Sequence, residues 1–163
     1  MAKYAVVRLD NMQGTTVGTK LRSAKFFKDD VKVAVENGVL VELGALLEGE
    51  RELVKAVAAK AETKKGKLAL VASPEVIYET KLQYNLENFI NEADEAIRCF
   101  VLCENDIFSV SVEGFEAKPA VGQGIVVGAN GKMKAQAMSD AAIGEVKAID
   151  VVDGMELFVI EVL

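Results

Sequence analysis

Cys99 and Cys103 are the residues of this 163-residue chain best suited to nucleophilic chemistry, and only Phe100, Val101 and Leu102 separate them. A thiol becomes a nucleophile when a histidine, a cation or a helix N-terminus lowers its pKa, and an apolar run pushes it the other way. The chain has no histidine, so the commonest general base and the commonest zinc ligand are missing together. On one extended strand the two cysteines would lie ~13 Å apart, too far to bridge. Both read as ordinary buried thiols. Glu48, Glu50 and Glu52 surround Arg51 in a turn region and read as a solvated edge, with no acid pair held in an apolar pocket.

Two glycine-containing patterns invite a phosphate. Gly122-Gln123-Gly124 opens into Ile125-Val126-Val127, a strand, and so lacks the helix N-terminus that a phosphate site uses. Lys64-Lys65-Gly66-Lys67 has no aromatic platform beside it, and the chain carries a net charge of -6, which argues against a nucleic-acid partner. The expectation is a protein that is not an enzyme, with no catalytic residue, no cofactor and no metal site.

The elements that would position any site are β-hairpins. Glu36-Asn37-Gly38, Ala129-Asn130-Gly131 and Val152-Asp153-Gly154 each sit between runs that alternate apolar and polar residues. If each is a three-residue loop with its glycine in the left-handed region, Val35, Val33 and Val31 face Val39, Val41 and Leu43 in the first hairpin. The same register sets Val127 and Ile125 opposite Met133 and Ala135, and Val151 and Ile149 opposite Met155 and Leu157. The fold expected is mainly β, a β-rich α+β arrangement whose antiparallel hairpins form a small β-barrel or sandwich.

Residues 4–9 read as a first strand. Residues 10–30 hold Gly14, Gly18 and three threonines without a sustained period, so an extended N-terminal arm is expected, with apolar Leu21, Phe26 and Phe27 packing on another molecule. Residues 52–61 suit helix or strand, and strand is preferred. Residues 68–72 read as a buried strand stopped by Ser73-Pro74. Leu86, Phe89, Ile90, Ala93 and Ile97 recur at helical spacing behind Asn85 as N-cap, which predicts one short helix. Strands are expected at 98–102 and 107–112, and a linker over 113–122 leads to the last two hairpins. The organisation expected is a strand and arm over 1–35, a β-rich region with the helix over 36–105 and a barrel-like region over 106–163.

Charge follows these divisions. Residues 1–35 hold seven basic and three acidic groups, residues 36–99 eight and twelve, and residues 100–163 four and ten. A basic front end on an acidic body suits an arm that docks on an acidic surface. Leu21, Arg22, Lys25, Phe26 and Phe27 are the candidate contact residues. No apolar run approaches the ~20 residues of a bilayer span, and the N-terminus lacks a secretory pattern, so no membrane partner is expected and synthesis in a cytoplasm is.

The rhythm of residues 106–163 resembles the small β-barrel head proteins of tailed bacteriophages that decorate or cement the capsid shell. Asp106-Ile107-Phe108-Ser109-Val110 is like an entry strand, residues 121–127 open a hairpin closed by Asn130-Gly131-Lys132, and Ile143-Gly144-Glu145-Val146 precedes a last strand. Tyr4-Ala5-Val6-Val7-Arg8-Leu9-Asp10, Gly49-Glu50-Arg51-Glu52, Leu70-Val71-Ala72-Ser73-Pro74 and Phe89-Ile90-Asn91-Glu92-Ala93 also resemble phage head-associated sequences. The resemblance implies attachment to the phage major capsid protein at the virion surface, as a homo-oligomer, and implies no specific binding residue. A tail-tube or head-completion protein would have a similar composition. Of the rival classes, a ligand-binding barrel requires a large interior pocket, and a carboxylate enzyme requires two converging acids in a cleft.

Overall fold

The computed structural model describes residues 3–76 and 86–163. In chain order its strands are β1 (Val7–Asn11), β2 (Leu21–Lys28), β3 (Val31–Lys32), β4 (Leu40–Leu46), β5 (Leu53–Ala58) and β6 (Leu68–Val71). They continue as β7 (Ile97–Val101), β8 (Ile107–Ser111), β9 (Gly124–Val127), β10 (Met133–Gln136), β11 (Gly144–Val152) and β12 (Met155–Val162). Two sheets result, so the chain is mainly β as its alternating pattern requires. One is open and antiparallel, in the order β1-β8-β12-β11-β9-β10. The other runs β3-β2-β5-β4-β6-β7, and β2 pairs with β7 as well, which closes β2, β5, β4, β6 and β7 into a five-stranded barrel.

Five strands cannot alternate direction all the way round a closed ring, so at least one neighbouring pair must be parallel. That pair is β2 with β5, in register Ser23 to Leu53 through Phe26 to Ala56. A barrel this narrow is filled by small and medium side chains. Ala24, Val41, Val54, Ala56, Ala69, Val71 and Cys99 fill it and are all but inaccessible. The alternate residues point outward. Leu40, Leu68, Leu70 and Phe100 pack against Phe108, Val110, Ile125, Met133, Phe158 and Ile160 of the open sheet, one core shared between the two layers. Phe115 meets Phe158 edge to face with centroids 5.5 Å apart.

Several expectations change here. The closed barrel lies in β2 and β4–β7, and residues 106–163 supply most of the open sheet instead. Residues 10–30 are not an extended arm. They end β1, make two short 3-10 turns and form β2, which is a wall of the barrel. Its period is hard to see because β2 changes neighbours along its length, from β7 to β5 to β3. The helix expected from Leu86 to Ile97 is a single 3-10 turn, Leu86–Asn88; Ile97 already belongs to β7, and Asn85 lies outside the described residues.

All three turn glycines take positive φ, at 85° for Gly38, 75° for Gly131 and 82° for Gly154, but only one turn keeps the expected register. Val127 pairs with Met133 and Ile125 with Ala135 as the alternation requires. The first turn is no hairpin: β3 pairs with β2, and β4 lies between β5 and β6. The last is a two-residue loop with both Asp153 and Gly154 left-handed, so Val152, not Val151, meets Met155. That turn type matches the twist of the flanking strands. The tip side chains are exposed, and burial therefore does not select the register there.

Candidate docking surface

The five residues singled out from the sequence all lie on β2, but they do not share one environment. Leu21 packs against the shared core opposite Phe100, and Arg22 sits opposite Cys99 in the pairing with β7. Lys25 and Lys32 both reach Asp94 Oδ1, at 2.6 and 2.7 Å. These hydrogen bonds, Lys25's first, hold the exposed Asp94 carboxyl down to about 2. Phe26 packs on the barrel core. Phe27 carries the Lys55 ammonium 5.1 Å from its ring centroid, a cation-π contact, and Lys55 also pairs with Asp30 at 2.5 Å, which lowers the Asp30 pKa.

β2 and β3 form a hairpin through Asp29 and Asp30, both with positive φ (49° and 61°), and Lys28 pairs with Val31. Aspartate tolerates the left-handed region better than most residues. The sequence signal was therefore present in Asp29-Asp30, without the glycine that usually announces such a turn.

Beside this hairpin Phe26 and Phe27 meet Val33, Val35, Val39, Val57 and Ala58 in a groove of about 490 Å³. Its rim carries Lys28, Lys60 and Lys132 with Asp29 and Glu36. Both layers build it, because Asn130 and Lys132 come from the β9–β10 turn. A Cβ on Gly131 would lie 2.2 Å from the Leu40 carbonyl oxygen, so glycine is required at this crossing by contact as well as by φ. Lys132 Nζ donates to the Glu113 carbonyl at 2.8 Å and pairs with Glu36 at 3.3 Å, and Glu36 in turn accepts from the Ala5 N–H at 3.0 Å. The groove thus sits on a fixed frame. Of its lining, sequence reasoning found Phe26 and Phe27 and missed Lys60 and Lys132, which the fold brings in from β5's end and the opposite sheet. Val33, Val35 and Val39 were noticed, but as partners in a hairpin.

The two cysteines and Glu48, Glu50 and Glu52 do not line the groove. Cys99 lies inside the barrel, where burial pushes its thiol up to about 12. Cys103 is half-buried and free. Glu48, Glu50 and Glu52 are exposed, in line with a solvated edge. The barrel interior is occupied by its own side chains. Among the described residues no group of three or more His, Cys, Asp or Glu side chains converges to hold a metal, and no helix is long and apolar enough to cross a membrane. Searches against known protein families and curated proteins give no match to this chain.

Proposed function

We propose that this chain is a capsid decoration protein of a tailed bacteriophage, which binds the outer surface of the major capsid protein lattice without catalysis and stabilises the head. The observation that carries the reading onto particular residues is the groove beside β2 and β3. It joins an apolar floor to a lysine-bearing rim on a chain whose net charge is -6, and so offers a local grip for an acidic, partly apolar surface. The sequence resemblance of residues 106–163 to phage head proteins supports the same role, although these residues form most of the open sheet and not the barrel.

Many weak contacts on a repeating lattice give high avidity without a large individual interface. Subunits that bind only the assembled shell stabilise it by mass action. Co-sedimentation of the purified protein with phage heads stripped of it tests this. Wild type is expected to pellet with heads to saturation, and Phe27→Glu combined with Lys60→Glu to lose at least tenfold in affinity while melting like wild type. Absence of wild-type binding, or equal binding by the double variant, rejects the assignment or its groove respectively.

A further inference from the structure

Among the described residues the far half of β11 has an open edge, whereas the outer strands are guarded. β11 pairs with β9 only at Gly144 and Glu145. Beyond a bulge at Lys147, no described strand lies on the side away from β12. Ile149, Val151 and Val152 are 40, 62 and 42 % exposed there. By contrast β3 is two residues long and ends in Lys32, and β1 carries the Arg8–Asp10 ion pair. β10 is covered at Met133, which bridges Phe115 and accepts from the Glu116 N–H. A long edge of exposed β-branched residues is a template for another strand. In a hairpin closed by a two-residue loop, Val152 and Met155 form the hydrogen-bonded pair, so Ile149 and Val151 turn their backbone groups outward.

We propose that the occupant of this edge is a second copy of the chain, β11 pairing antiparallel with the partner copy's β11 about a two-fold axis normal to the sheet, Ile149 opposite Val151. The strand is self-complementary in that register. It sets Ile149 on Val151 and Ala148 on Val152 twice over, and the Lys147 bulge and the left-handed Asp153 confine the pairing to residues 148–152. A shift of two residues in either direction runs the pairing into the Lys147 bulge or the Asp153 loop, and an odd shift is excluded because it brings opposite faces of the sheet together. Asp150 meets its own mate at the axis, where each carboxylate is already held by Arg8 at 2.8 Å. The Val151 N–H, which donates to Asp150 Oδ1 at 2.9 Å in the single chain, exchanges that bond for a carbonyl of the second copy. The two open sheets then continue as one, and the surplus apolar side chains of the hairpin tip are covered.

Sedimentation velocity of the full chain over a range of concentrations tests the proposal in the absence of any capsid, so its outcome is separate from that of the docking groove. Wild type is expected to dimerise reversibly, and Val151→Lys to weaken the dimer at least tenfold with an unchanged melting temperature. Val152→Lys, which faces Ala148 of the second copy in the same register, is expected to weaken it as well, which keeps the test sound should Val151→Lys fold poorly. A wild type that stays monomeric at the highest concentration, or a dimer indifferent to Val151→Lys and to Val152→Lys, overturns the proposal.

Discussion

Asn37-Gly38 and Asn130-Gly131 are the same dipeptide, each with a left-handed glycine, yet one is a buried crossing and the other a hairpin whose asparagine is exposed. At the β9–β10 turn Asn130 is itself left-handed (φ 53°), the Gly128 N–H donates to the Lys132 carbonyl at 2.7 Å, and the strands fold back on each other. Asn37 is 1 % exposed and uses its side chain instead. Its Nδ2 donates to the Ser73 carbonyl at 2.9 Å, and its Oδ1 accepts from the Ser73 N–H at 3.0 Å and from Asn91 Nδ2 at 3.1 Å. Gly38 N–H then donates to Val71, which draws β4 alongside β6 rather than back along residues 31–35. Asn-Gly therefore permits a reversal of the chain, and the partners available to the asparagine side chain decide whether the flanking strands pair.

The contrast can be broken most severely at Gly131. Alanine there meets the Leu40 carbonyl at 2.2 Å in a strained backbone region, and Gly131→Ala is expected to cost about 4 kcal/mol from overpacking and strain together. Thermal denaturation reads this directly. Next in size is the asparagine pair. Asn37→Ala leaves the Ser73 backbone and Asn91 without their partner and is expected to cost about 3 kcal/mol. Asn130→Ala, at an exposed turn, should cost about 1 kcal/mol through its left-handed φ alone. Denaturant midpoints of the two variants, compared at equal slope, should differ in that order, and equal losses would dissolve the distinction between staple and turn.

Gly154→Ala sharpens the comparison further, because φ is again positive but no atom lies within 4 Å of the added Cβ. It should cost about 1 kcal/mol, the strain without the clash. The smallest effect belongs to Asp94, whose folded pKa is lowered to about 2 by Lys25 and Lys32. A carboxylate depressed on folding stabilises above its unfolded pKa, about 3.9, and that contribution is lost as pH falls through its folded value. The acid limb of the unfolding curve should therefore shift slightly between about pH 4 and 2 in wild type and lose that component in Asp94→Asn.

What was legible in the sequence follows from the same physics. β6 could be read because Leu68, Ala69, Leu70 and Val71 are buried on both faces, and the β9–β10 register because Ile125 and Met133 are pinned by the shared core. The strand over residues 52–61 emerged as β5 despite its helical composition, since Val54 and Ala56 fill the barrel. β2 was illegible for the opposite reason. Its residues answer to three different neighbours, so no single period runs through it. The candidate site shared that fate: Phe26 and Phe27 stood out by type, but Lys60 and Lys132 join them only through barrel closure and the packing of one layer on the other, which no local pattern encodes.

The central claim, that this protein grips a phage head through the groove at β2 and β3, is tested most directly by an electron-microscopy reconstruction of decorated heads against heads lacking the protein. The account predicts added density on the outer capsid surface, placed with Phe27, Lys28 and Lys60 against the major capsid protein. Heads that carry no such density, or density that turns the groove towards solvent, would contradict it.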